Sequence, residues 1–251
     1  MTNPFASSPR KLERAKKHIA DIETIISTVP SAYEPRIDKD PKTGNQAVAY
    51  GVSEPFIESV KLDLAVVIGD AVHNLRTALD HAWTETLTRN APGALSDSNS
   101  FPIRKERTKV EDALNGIKHH ITNPMLVKRI VSDIQPYLGG DDYIVGLHYL
   151  DIADKHQMLL PTLHVGWVEG IVVEDENGNE FRGDTWVTTR PGPYYVDFER
   201  NIHIKKKGKL SFQVMFGKID GADMFDMAEV PSTLHELCSV VERVIAELES
   251  L

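Results

Sequence analysis

Apolar residues recur every three or four positions through Leu12, Ala15, Ile19, Ile22, Ile26 and Val29, between Ser8-Pro9 and Pro30, and predict an amphipathic helix over about 9–29. Between Tyr33 and Val52 the pattern breaks into two short runs around a Pro/Thr/Gly/Asn turn, which predicts a small hairpin near 33–52. From about Leu62 to Arg89 no proline intervenes and the helical period resumes, giving a long central helix whose weak point is Gly69. Residues 91–102 have loop composition. Shorter helices are expected over 108–120 and 124–135, closed by "QPYLGG", and a further one over 142–157. After it the chain turns to Val, Thr, Trp, Tyr and Phe, punctuated by "DENGN", "RPGP" and "KKGK", which predicts four to six antiparallel strands. The helical period returns after Pro231 through Leu234, Leu237, Val241, Val244, Ile245 and Leu248.

Helices, then strands, then a helix predict an α+β protein: a helical bundle with a β-rich antiparallel subdomain inserted before the C-terminal helix. The expected division is a bundle over 1–160 that includes the hairpin, an antiparallel subdomain over 161–230, and a final helix over 231–251 packing on the bundle. A chain of 251 residues can bury a core without covalent staples. The one cysteine, Cys238, lies among Leu234, Leu237 and Val241 and is read as a small buried apolar side chain. No stretch approaches the roughly 18 uncharged apolar residues of a membrane span, and the N-terminal residues lack a signal-peptide core, so the expected location is cytoplasmic.

A net charge of −9 argues against tight nonspecific binding to a long polyanion. It leaves open an enzyme that touches a few phosphates. The two basic runs, "RKLERAKKH" at 10–18 and "KKKGK" at 205–209, read as a solvated helix face and a hairpin turn.

Within the central helix, "GDAVHNLRTALDHAW" (69–83) concentrates polar chemistry. At about 100° per residue, Asp80, His73, Thr84, Thr77, Asp70, His81 and Asn74 share one arc with Arg76 at its edge, while alanines, leucines, Val72 and Trp83 fill the other. Solvated helix faces are built mainly from Lys, Glu, Arg and Gln; this one uses His, Asp, Asn, Thr and one Arg, poorer helix formers that hydrogen-bond at short range. Such a face wants a partner, and three kinds are open. A metal ion can be held by His73, Asp80, His81 and Asp154, with His148 and Asp151 on the same face of "HYLDIADKH", although no established metal signature is present. RNA can be bound and cleaved: Arg76 polarises a phosphate and His81 moves a proton, the pair that cleavage through the neighbouring 2′-hydroxyl needs. Or Asp80, Arg76, His73 and Asp154 form a buried polar network that fixes the register of the bundle, the role of a non-catalytic binding or regulatory protein.

"RTALDH" resembles the Arg-x4-His element of the HEPN superfamily, small helical bundles that are commonly dimeric and often metal-independent ribonucleases of toxin, antiphage and CRISPR-associated systems. Thr77 follows the arginine where that family commonly has Asn, Asp or His. A longer likeness is to a set of bacterial, actinobacterial and phage proteins without assigned activity that carry GD-x-x-HNLR-[ST]-ALDH, then FPI, then DKH, here Gly69 to His81, Phe101 to Ile103, and Asp154 to His156.

The resemblance implies a homodimeric ribonuclease of a bacterial or phage conflict system, with RNA as partner and no cofactor or metal. In it Arg76 holds the scissile phosphate, His81 is the acid or base, and His73, Asn74 and Asp80 position them. Lys155 and His156 at the end of their helix are candidate substrate-binding groups, also favoured there by the helix dipole. His119-His120 reads as a helix end, and Trp167, Trp186, Tyr194 and Tyr195 as sheet packing. No phosphate-cradling loop or zinc pattern is present.

Overall fold

The structure, a computed structural model, describes residues 6–29, 35–50, 54–96, 99–187 and 194–251. The side chains of Tyr50, Glu54, His164, Val165, Gly166, Thr185, Trp186, Val187, Tyr194, Tyr195 and Leu210 also lie outside that description. Six α-helices and seven strands are present among the described residues: α1 (Ser8–Thr28), β1 (Arg36–Lys39), β2 (Gln46–Tyr50), α2 (Glu54–Asn90), α3 (Arg107–Ile117), α4 (Met125–Lys128), α5 (Asp142–His156), β3 (Thr162–Asp175), β4 (Glu180–Val187), β5 (Tyr194–Phe198), β6 (Ile202–Lys206), β7 (Lys209–Met215) and α6 (Val230–Glu249). The fold is α+β, with the final helix after the sheet region. No helix among the described residues is long and apolar enough to cross a membrane.

The chain divides into two compact units, one of Met1–Ile22, Ala65–Leu159 and Phe216–Leu251, the other of Glu23–Leu64 and Leu160–Met215. The first is built on the apolar stripes read in the sequence. Leu12, Ala15, Ile19 and Ile22 of α1, Leu75, Leu79 and Leu87 of α2, and Leu234, Leu237, Val241 and Leu248 of α6 are all buried. Burying each such leucine, isoleucine or valine contributes on the order of 1.5–3 kcal/mol, and the summed burial is what holds helices that alone are marginal. The carbonyls left over at the end of α6 accept from Arg89 Nη2 at Leu248 (3.0 Å) and Arg129 Nη1 at Glu247 (3.0 Å), so cations close that helix.

Three helical boundaries differ from expectation. The helix α2 starts at Glu54, not near 62, because Pro55 falls in its first turn, where a missing N–H costs nothing. The helix expected over 124–135 is one α-turn followed by a π-helical segment, Arg129–Ile134, ended by Gln135 in the left-handed region (φ 57°). The helix expected over 108–120 closes as a 3₁₀ turn, Lys118–His120.

In the second unit β3 is central. It pairs antiparallel with β4 along one edge, and with β7 and then β6 along the other. A bulge between Val168 and Ile171 sits at Gly170 (φ 68°), whose N–H donates to Asp184 Oδ1 at 2.8 Å. The hairpin expected near 33–52 is β1–β2, and β2 pairs with β5 in a second, three-stranded sheet. Its strands therefore belong with the sheets rather than with the bundle, because their ladder partner lies some 150 residues later. Val48, Val168, Ile171, Val173 and Ile202 form the shared core. The lysine run, expected as a hairpin turn, is instead an irregularity between β6 and β7, which follow one another along the same edge of β3, both antiparallel to it, and do not pair with each other. Gly208 there takes φ 76°, and a Cβ would stand 2.9 Å from the carbonyl oxygen of Glu169.

Leu75 is wholly buried on the packing side of α2. Leu75→Ala is expected to destabilise by about 2–5 kcal/mol, read as a lower urea midpoint with an unchanged slope.

Candidate functional site

The polar arc of α2 divides between two sets of partners. Arg76 is 4% exposed and points at the loop that follows α2. Its Nη2 donates to Ser100 Oγ at 2.8 Å and to the Phe101 carbonyl at 3.2 Å, and its Nη1 stands 2.7 Å from Asp80 Oδ1 as an ion pair lacking hydrogen-bond alignment. Asp80 Oδ1 also accepts the Phe101 N–H at 2.8 Å. Phe101 is thereby seated edge-on to Trp83, with ring centroids 6.0 Å apart. Burial pushes the Arg76 pKa down from its ordinary value, opposed by the charges of Asp80 and Asp151.

The second set lies against α5. His73 Nδ1 is 2.9 Å from Asp151 Oδ1, and Lys155 Nζ donates to Asp151 Oδ2 at 2.6 Å. Asp151 is buried, its side chain 3% exposed, whereas the His73 side chain is 50% exposed. With Nδ1–H donated to the carboxylate, His73 Nε2 is left as an acceptor, and the Thr77 hydroxyl is its hydrogen-bond partner at 3.4 Å. One turn before His73, Asp154 presses on α2: a Cβ at Gly69 would stand 2.2 Å from Asp154 Oδ1. Glycine at 69, the weak point of the helix, is the residue that permits this approach. Asn74 turns back on its own helix, its Nδ2 donating to the Asp70 carbonyl at 2.8 Å.

The predicted site residues are thus separated. Five residues place His81 about 140° around the helix from Arg76. It is half-buried and has no hydrogen bond or ion pair to another described residue. Arg76, expected to hold a phosphate, is committed to Ser100, Phe101 and Asp80 instead. The expected register network of Asp80, Arg76, His73 and Asp154 is two clusters rather than one, since Arg76 and Asp80 fasten the loop while His73 and Asp154 meet α5. Among the described residues no three His, Cys, Asp or Glu side chains are arranged to hold a metal ion. Lys155 joins the site, but His156 is exposed at the end of α5. The His120 ring lies against Gly93, in keeping with a helix end. Trp167 is half-buried in β3, and the side chains of Trp186, Tyr194 and Tyr195 fall outside the described residues. Cys238 is buried, which raises its thiol to about 11 and leaves it a packing residue.

Two site residues had weak or no sequence signal. His148 was visible only as one member of the polar face of α5; its Nδ1 is buried without a hydrogen-bond partner. Burial and then the charge of Arg76 lower its pKa to about 4, with Arg104 and Lys155 acting the same way and Asp151 opposing. Arg104, at the far end of the FPI segment, had no pattern to mark it. Three cations, Arg76, Arg104 and Lys155, act on this one imidazole, two of them ion-paired, Arg76 with Asp80 and Lys155 with Asp151.

Searches with models of protein families, and against curated proteins and solved structures, returned no significant match.

Two outcomes are expected. Replacing Asp80 by Ala leaves the Arg76 guanidinium buried without its counter-ion; because Asp80 is itself 29% exposed, the cost is about 2–3 kcal/mol rather than that of a sealed pair, measured by urea denaturation. For His148 the pKa is near 6.5 unfolded and about 4 folded. Between those values the unfolded state takes up a proton that the folded state does not, so stability falls as pH drops from 6.5 to 4 and His148 adds no further loss below. With its partial exposure the effect is of order 1 kcal/mol, and His148→Gln flattens that part of the stability–pH curve.

Proposed function

We propose that this chain is a metal-independent ribonuclease in which His73, rather than His81, moves the proton. The observation that carries the reading is the His73–Asp151 pair: a buried carboxylate fixes Nδ1 at 2.9 Å and leaves Nε2 of a half-exposed imidazole as the base. Fixing the tautomer this way keeps the basic nitrogen outward and stabilises the imidazolium formed when it accepts a proton. Lys155, also on Asp151, supplies a cation for the scissile phosphate. Arg104 adds a second cation near the site. Arg76 serves indirectly, by holding the loop that carries Arg104. The likeness to HEPN proteins extends the proposal to a cytoplasmic homodimer acting in a bacterial or phage conflict system.

A second reading, a non-catalytic binding or regulatory protein, is favoured by the burial of Arg76. In it the HNLR, ALDH, FPI and DKH segments serve only to hold one another.

The two readings part in an RNA cleavage assay run in EDTA. Cleavage is expected from the wild type and from His81→Ala, with a loss of about 10²–10⁴-fold in His73→Ala and a substantial loss in Asp151→Asn. Thermal denaturation of His73→Ala checks that the fold survives. No cleavage by the wild type, or equal cleavage by folded His73→Ala, gives the second reading.

A further inference from the structure

Resting on the ribonuclease reading, we propose that Asp154 is the proton donor of the same site, working opposite His73. Its carboxyl is seated on the backbone of α2: a Cβ at Gly69 would lie 2.2 Å from Oδ1 and 2.7 Å from Oδ2, closer than real Cβ contacts allow. The seat is one helical turn before His73. The charged groups that act on Asp154 there are Asp70 and His73 from α2, and Asp151 and Lys155 from α5.

The three carboxylates of this group are not equivalent. Asp151 is satisfied by His73 and Lys155, whereas Asp154 has no hydrogen bond or ion pair to another described residue. A carboxyl pressed on a helix backbone loses water, and the negative charges of Asp151 and Asp70 oppose a third. Those effects raise the pKa of Asp154, while His73 and Lys155 act in the smaller, opposite sense. A carboxyl whose surroundings favour its neutral form, one turn from an imidazole whose Nδ1 is held by a second carboxylate, offers a donor and an acceptor of protons in one place.

The step is then complete in protons and electrons. His73 Nε2 takes the proton of a ribose 2′-hydroxyl, and the 2′-oxygen forms its bond to phosphorus. The bond from phosphorus to the 5′-oxygen breaks with its electron pair on that oxygen, which takes the proton of Asp154. The products are a 2′,3′-cyclic phosphate and a 5′-hydroxyl end. His73 leaves as imidazolium and Asp154 as carboxylate, and proton exchange with water resets both.

The test uses the full-length protein and two substrates in EDTA, a short RNA and uridine 3′-(4-nitrophenyl phosphate), whose leaving group needs no proton. Asp154→Asn is expected to slow RNA cleavage about 10²-fold or more, to lose the alkaline fall of the pH–rate profile, and to cleave the nitrophenyl ester within a few-fold of the wild type. His73→Ala is expected to fail on both. Equal loss of both substrates in Asp154→Asn, or no loss on RNA, overturns the assignment while leaving His73 in place. Wild-type protein inactive on both substrates removes the ribonuclease reading itself. Carbon-13 titration of the Asp154 carboxyl supplies a readout independent of activity: its midpoint is expected above that of an ordinary aspartate, and a midpoint at or below the ordinary value overturns the assignment.

Discussion

A guanidinium with almost no access to water must find its partners inside the protein, and Arg76 finds them in the loop that follows its own helix. Ser100 and the Phe101 carbonyl accept from it, and Asp80, one turn further along α2, balances its charge while accepting the Phe101 N–H. Those bonds turn loop composition into a fixed backbone path and carry Phe101 and Ile103 into the core. A buried ion pair gives little net stability against an apolar substitute, but once made it is costly to break from one side. Its main effect is therefore to specify one path for the loop. Arg104 and the backbone contact from Arg104 N–H to the Pro136 carbonyl follow from that path.

The same logic orders the other face of the site. Asp151 is buried on α5 and must be paired; both partners, His73 and Lys155, keep much of their surface in water. Each is thus held by one end and available at the other. On the neighbouring positions the balance tips: Asp154 has crowding without pairing, and His148 has three cations and a buried nitrogen without a partner. Where helices are only being fastened together, buried polar groups are matched one to one. Here some are matched and some are left over, and the leftover groups are a carboxyl and an imidazole pushed in opposite directions from their ordinary protonation.

Much of the architecture was legible because burial imposes a period. Leu12, Ala15, Ile19 and Ile22 mark α1, and Leu234 to Leu248 mark α6, since a helix must bury one stripe; the Val/Thr-rich region likewise reads as strands. What was not legible is non-local. Nothing in β2 names β5 as its partner, and nothing in "RIVSDI" distinguishes a π-helix from an α-helix, because both keep apolar residues on a similar face. The helix α2 begins at Glu54, earlier than the apolar period alone marks it, and Pro55 is accommodated because it sits in the first turn.

The candidate site shows the same division more sharply. The composition of the polar face, rich in His, Asp and Asn and poor in Lys and Glu, pointed to a partner for it, and the "DKH" helix is one of the segments it meets. It could not say which polar residue faces which neighbour. On a helix wheel Arg76 is at the edge of the polar arc, and a guanidinium on a long stem reaches either solvent or a buried loop from there. The Phe101 loop decides the matter, and its position depends on Arg76 in turn. His73 and His81 are about 80° apart on the same arc and carry the same chemistry in sequence. Only one of them lies across from a buried carboxylate on α5. The orientation of an imidazole is a property of that pair and not of the histidine alone, so a motif that names one helix specifies the residues available, and the packing of a second helix selects which of them is held in place.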